Sequence, residues 1–207
     1  MSMLMLMVAA ASAMPAPVPV SRNDAFVFSD GHVEQVRSVK NGAVEWGGLS
    51  KRSYWRPQGT FLPITIWTTG VGEGRRTIIG HPEEMWPLGT RRSTHFRVVT
   101  QTRRKGREDW VRNVEQWRCK AGNPREIKVR AGVFDAVRIA CDRFSPTNMK
   151  LVERLEWDFA PAIGHYVRRV RINYARADRR AIELVSALHG PAASNDRLKA
   201  LARAAKR

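Results

Sequence analysis

The sequence is poor in the patterns from which catalytic and metal sites are built. It has two cysteines, Cys119 and Cys141, and no C-x-x-C pair. Its five histidines, His32, His81, His95, His165 and His189, are isolated, with no H-x-H and no H-E-x-x-H, so the common zinc spacings are excluded. No serine sits in a G-x-S-x-G turn. The acid pairs Glu83–Glu84 and Glu108–Asp109 are sequence neighbours in loops, which do not converge on one substrate atom. Gly70, Gly72 and Gly74 are not followed by the Lys-Ser/Thr of a phosphate loop. No catalytic residue, no metal ligand set and no cofactor is expected. A long apolar run is missing too: the one from Met3 to Val8, which passes into small residues, is far short of the roughly 20 residues a membrane-spanning helix needs.

Acidic residues are scarce. Nineteen Asp and Glu face 36 Lys and Arg, giving a formal charge of +17 and a pI near 11.2. Such a chain attracts anionic surfaces: nucleic acid, an anionic membrane leaflet or an acidic polymer. The basic residues are dispersed as pairs, including Arg75–Arg76, Arg103–Arg104 and Arg168–Arg169, with no dominant block, as on a solvated surface.

What is present argues for export and for β structure. Residues 1–13 pass from an apolar run into Ala11-Ser12-Ala13, an A-x-A cleavage pattern, which predicts a signal peptide and a mature start at Met14. No Lys or Arg precedes Arg22, so the usual basic flank is missing. Residues 14–25, with Pro15, Pro17 and Pro19, read as an extended spacer. Residues 26–190 read as one β domain, and residues 191–207 as a basic tail with a frayed helix outside the core. Within the domain, short alternating runs are separated by turn signals such as Asp30–Gly31 and Asn41–Gly42. The sum predicts an all-β fold: a single antiparallel, strongly curved sheet or partly open barrel of about ten strands, with a short C-terminal helix.

The centre of that sheet is the stretch 117–143. Val133, Val137, Ile139 and Cys141 share one face of a period-2 pattern. In an exported chain an even cysteine count predicts a Cys119–Cys141 disulfide, worth roughly 3 kcal/mol by restricting the unfolded chain. In a cytosolic chain they would be buried thiols. Leu151, Leu155, Trp157 and Phe159 share a face of a further strand, with Glu153 as the exception. Seven tryptophans suit a core, an apolar cavity or a stacking platform. Trp55 and Trp67, in an irregular region, and His165, Tyr166, Arg168 and Arg169, at a turn-to-strand junction, are the candidate ligand-binding residues.

Two stretches resemble motifs of a family of uncharacterised exported bacterial β proteins. One is Val129-Arg-Ala-Gly-Val-Phe134-Asp, similar to a V-P-A-G-T-F hairpin. The other is Trp157-Asp-Phe-Ala-Pro-Ala-Ile-Gly164, similar to a W-Y-A-P-x-x-G turn. Arg130, Val133 and Phe159 stand where Pro, Thr and Tyr are usual. The resemblance implies export and paired hairpins, and no catalytic residue.

These features together predict a non-catalytic binding or structural protein of the bacterial cell envelope, periplasmic or secreted. It would be peripheral rather than transmembrane and docked on anionic envelope lipid or polysaccharide. Nucleic acid is no partner of an exported chain. The alternative is a cytoplasmic nucleic-acid-binding β protein using the Arg pairs and exposed Trp.

Overall fold

Asn41–Gly42 and the other tight turns join neighbouring strands into an up-and-down meander. The structure is a computed structural model that describes residues 14–59, 63–89 and 92–207; the expected signal peptide, residues 1–13, lies outside the described residues. Twelve strands follow in chain order: β1 (Ala25–Phe28), β2 (Val33–Lys40), β3 (Ala43–Gly47), β4 (Ser53–Pro57), β5 (Ile66–Thr69), β6 (Gly72–Gly80), β7 (Ser93–Arg104), β8 (Val111–Val129), β9 (Gly132–Phe144), β10 (Leu151–Ala160), β11 (His165–Asn173) and β12 (Asp178–Leu188). Each pairs antiparallel with its sequence neighbours, and β1 also pairs with β12, so the barrel is closed.

The antiparallel barrel and C-terminal helix expected from the sequence are present; the barrel is closed and has twelve strands where about ten were expected. The two strands missed in the sequence are β4 and β5, of five and four residues. Runs that short, next to Pro57, Pro63 and Gly70, show too little alternation to register as strands. Closure removes the unpaired edges that an open sheet would have to protect.

The first strand is buried on both faces because two cores meet there. Phe26 and Phe28 point into the barrel, whereas Ala25 and Val27 point out under the helix α1 (Asn195–Ala205). Leu198, Ala202 and Ala205 of α1 seal that outer patch with Val33 and Leu188. The helix is thus a docked element, not the frayed tail expected of its basic composition. Its buried stripe of Leu and Ala recurs every three to four residues, which outweighs the exposed basic residues.

One end of the barrel is closed by apolar side chains. Met85 and Leu88, from the 3-10 turn Pro82–Met85 and the residues after it, are buried there; Trp86 packs on Phe159 at 5.9 Å between ring centroids. The proline-rich segment is no free spacer. Its prolines keep it extended, but it lies across this end: Met14 N–H donates to the Leu88 carbonyl (3.1 Å), Val18 N–H to the Pro161 carbonyl (2.9 Å), and Val20 is buried. Gly164 permits that crossing. Its φ is +60°, and a Cβ there would lie 2.1 Å from the Val18 carbonyl oxygen.

Cys119 and Cys141 are directly opposite on β8 and β9, fully buried, and joined as a disulfide. The antiparallel register, which spacing alone does not reveal, brings their Cα atoms to 4.0 Å.

Candidate ligand site in the open mouth

Inward-facing positions change character along the strands. On β7 the inward series runs Phe96, Val98, Thr100, Thr102; on β9 it runs Val137, Ile139, Cys141, Arg143; on β10, read in the same spatial direction, Phe159, Trp157, Leu155, Glu153. Each series starts apolar at the plugged end and turns polar towards the other. At that end the barrel holds a cavity of about 810 Å³, which opens between the β1–β2 and β3–β4 connections. Six arginines line it: the exposed Arg52 at the rim, and Arg56, Arg76, Arg143, Arg169 and Arg171. Tyr54, Trp67, Trp117, Trp157 and Tyr166 supply aromatic wall.

The arginines are not equivalent. Arg143 pairs with Glu115 and Glu153, Arg171 with Glu153, and Arg56 with Glu34. Among the described residues, neither Arg76 nor Arg169 has a carboxylate within 4 Å. Arg76 donates to Thr100 Oγ1 (3.3 Å) and the Ile64 carbonyl (3.2 Å), and stacks over Trp67 at 4.7 Å. Burial, with Arg143 nearby, lowers its pKa. Arg169 lies over the Tyr166 ring at 5.7 Å. Both are half-buried cations facing a cavity, held by neutral groups and by aromatic faces. Trp67 reaches its place because its partner across β5–β6 is Gly74: a Cβ there would lie 2.0 Å from the indole.

Deeper in, a polar cluster spans β2, β4 and β11. Glu34 is buried; its Oε2 accepts from Arg56 Nη2 (2.5 Å) and His165 Nε2 (3.0 Å), and its Oε1 from Tyr166 Oη (2.7 Å). Burial opposes its charge, but Arg56, His165 and His32 more than offset that, and its pKa is held well below the ordinary carboxylate value. Burial lowers the His165 pKa against the pull of Glu34, so the ring is neutral at pH 7. Burial also raises the pKa of Tyr54 and Tyr166, which stay protonated. Phe26 stacks on His165 at 4.1 Å and shuts the cluster off from the core. Three buried groups, Trp46 Nε1, Tyr54 Oη and Arg56 Nε, find no hydrogen-bond partner among the described residues, and the Trp46 and Arg56 side chains border a cavity of about 10 Å³, the size of one water oxygen.

The arrangement can hold an anion and present aromatic faces to the body that carries it. A nucleophile–base pair is not formed by these groups: the one ionised carboxylate of the deep cluster is saturated by Arg56, His165 and Tyr166. Among the described residues no cluster of three or more His, Cys, Asp or Glu forms a metal site.

Of the residues singled out in the sequence, Trp67, Tyr166 and Arg169 line the cavity and His165 lies beneath it. The other two are elsewhere. Trp55 alternates with inward Tyr54 and Arg56 and so faces outward. Arg168 is outside as well, donating to Asp158 Oδ2 at 2.7 Å beside Arg125 and Arg138. A one-residue irregularity between β10 and β11, where Asp158 pairs with Arg168 and Phe159 with Tyr166, sets Arg168 and Tyr166 on opposite faces. Sequence reasoning missed Glu34, Tyr54, Arg56, Arg76, Arg143 and Arg171. The one usable signal was Glu153, the charged exception in an apolar face, which is buried between Arg143 and Arg171.

No family model and no curated protein matches the sequence. Two solved structures align with it. One is a presumed exported protein with a YmcC-like fold from Bacteroides fragilis, at 10% identity and a TM-score of 0.40, covering 83% of this chain and 98% of its own. The other is a presumed lipoprotein from Parabacteroides distasonis, at 12% identity and a TM-score of 0.38, covering 87% and 100%.

Proposed function

We propose that this chain is an exported, non-catalytic binding protein of the bacterial cell envelope whose barrel mouth takes up an anionic envelope component. The observation that carries the reading is the pair Arg76 and Arg169: half-buried cations without a carboxylate partner, facing an 810 Å³ cavity walled by Trp and Tyr. The ligand chemistry that fits is a phosphate or carboxylate on a polyhydroxylated or glycerol body, as in a lipid headgroup or an acidic polysaccharide.

Export is supported by the buried Cys119–Cys141 bridge, which suits an oxidising compartment and weighs against the cytoplasmic nucleic-acid alternative. A peripheral rather than membrane-spanning barrel is supported by its outer face. Arg125, Arg138, Arg154 and Arg168 stand there with Asp142, Glu156 and Asp158, where a spanning barrel carries an apolar band.

The test is fluorescence titration of the tryptophans with a short galacturonate oligomer and, separately, with a short-chain phosphatidylglycerol below its micelle concentration. Saturable quenching by either ligand, weakened at least tenfold in Arg76→Ala and in Arg169→Ala, is the expected result; which ligand responds names the source of the anion. No saturable response to either would overturn the reading.

A further inference from the structure

We propose that one lobe of the mouth rim docks the protein on the surface of an anionic bilayer. The lobe consists of three connections at the open end: residues 48–52 between β3 and β4, 70–71 between β5 and β6, and 105–110 between β7 and β8. They come together around a groove of about 450 Å³ to which Lys51, Gly70, Arg104 and Lys105 all contribute.

Each connection exposes an apolar side chain. Leu49 is 42% exposed, Val71 78% and Trp110 36%, and Val111, just past the third connection, is 62% exposed. Single exposed apolar residues are ordinary on a protein surface. Four gathered on adjoining tips around one groove are not; exposed apolar residues also stand in or beside the plugged-end connections, Val18, Val39, Ile66, Ile79 and Val133 among them, but what sets the lobe apart is the company of unpaired cations. The basic residues between them are available. Among the described residues Lys51, Arg104 and Lys105 have no carboxylate within 4 Å. The lobe's acids are largely occupied: Glu73 is bound by Arg103 and Asp109 by Arg107. Trp110 is flanked by the guanidinium groups of Arg75 and Arg103, each 5.0 Å from its ring.

The lobe also projects. The last register between β8 and β9 is Gln116 opposite Phe144, so residues 111–115 of β8 pair only with β7. A protruding hairpin with a Trp, aliphatic tips and unpaired cations suits a plane whose surface is anionic and whose next layer is apolar. The tips enter the headgroup region, the indole lies at the interface and the cations meet lipid phosphates. A soluble polysaccharide would use the charges and leave Val71 and Leu49 without a role.

The inference rests on the reading that the chain is exported and meets anionic envelope components, but not on what the mouth cavity holds. The experiment is co-sedimentation of the full chain with phosphatidylglycerol-rich vesicles and with pure phosphatidylcholine vesicles. Binding to the first and not the second is expected. Arg104→Gln with Lys105→Gln is expected to lower partitioning by about 25-fold, at about fivefold per charge, and Val71→Asp to lower it at fixed charge pattern elsewhere. Lys40→Gln with Lys128→Gln removes the same charge from exposed sites outside the lobe and should have a smaller effect. Equal losses from the two charge pairs, or no loss from Val71→Asp, would overturn the lobe as the docking surface, as would absence of vesicle binding. If vesicles fail while galacturonate or short-chain lipid still quenches the cavity tryptophans, docking alone falls. If both fail, the envelope-binding reading falls with it.

Discussion

The closed and open ends of the barrel are built from the same strands, yet one is filled and the other is charged. At the closed end Phe159, Ile139, Val98 and Phe96 interdigitate with Met85 and Leu88 from a connection folded inward. At the open end the same strands present Glu153, Arg143 and Thr102, and Pro63 and Ile64 of the β4–β5 connection form part of the cavity wall. A twelve-stranded barrel is too wide to be filled by strand side chains alone. This chain plugs half of its lumen with loops and leaves the other half lined by ion pairs. Such pairs contribute little net stability once desolvation is counted, so the open end is the part of the fold least explained by stability, which is why the proposed binding site is placed there.

Breaking the plug should have the largest effect. Phe159→Ala removes a fully packed ring that touches Trp86, and is expected to cost about 3–5 kcal/mol in urea denaturation. The same measurement on Leu155→Ala, a half-buried residue of the cavity wall on the same strand, should give a clearly smaller loss. Equal losses would mean that the mouth is packed as tightly as the plug.

The boundary between the two ends comes next. Glu34→Gln leaves Arg56 buried without its countercharge and is expected to cost about 3 kcal/mol at neutral pH. The pH dependence carries the signature. The folded pKa of Glu34 lies below its unfolded value of about 4.3, so its contribution is complete above that pH and is lost as pH falls through the folded pKa. His165 acts in the same direction at higher pH. Its folded pKa is also lowered, so its contribution is full above about pH 6.5 and declines below that. Urea midpoints should therefore fall in two steps on acidification, and Glu34→Gln should shrink the lower step, to which Asp158, where burial opposes the charge but the arginines still lower the pKa, also contributes. An effect of similar size belongs to the disulfide, one position below Arg143 in the inward series of β9. Removing both Cys119 and Cys141 should lower stability by about 3 kcal/mol and leave the fold intact, as near-UV and far-UV circular dichroism would check.

How much of this was legible in the sequence follows from the same contrast. The closed end was readable because apolar alternation is a strong signal: Val137, Ile139 and Cys141 announced their face, although Val133, expected on the same face, is 54% exposed, and the Asn41–Gly42 and Pro161–Gly164 turns fell where expected. The open end was not. An inward arginine has the same letter as a solvated one, and with 28 arginines in the chain, parity rather than residue type separates them. Parity could be followed on β10, where Glu153 broke an apolar face. It failed on β11, where the irregularity between Tyr166 and Arg168 puts Arg169, rather than Arg168, on the face of Tyr166. The short strands β4 and β5 hid Arg56 and misassigned Trp55 for the same reason. The second core under α1 was invisible because its outer-face members on β1, Ala25 and Val27, lie in a run apolar on both faces.

The smallest expected effect on stability is also the sharpest test of the contrast. Arg76 is held by a threonine hydroxyl, a backbone carbonyl and a Trp face, all of which can be satisfied without it, and its pKa is lowered by burial and then by nearby Arg143. Arg76→Ala should therefore change the urea midpoint by no more than about 0.5 kcal/mol in free energy, in either direction. If the arginine were structural, its loss would resemble that of Glu34, because a buried partner would be left exposed to the cost of desolvation. If it is kept for a ligand, stability stays where it is and anion binding weakens. Gly74→Ala separates charge from shape at the same spot: it leaves Arg76 in place but pushes the Trp67 indole out of its position. Binding that survives Gly74→Ala but not Arg76→Ala would mean that the anion alone is recognised. Binding lost in both would mean that the aromatic wall reads the body of the ligand as well.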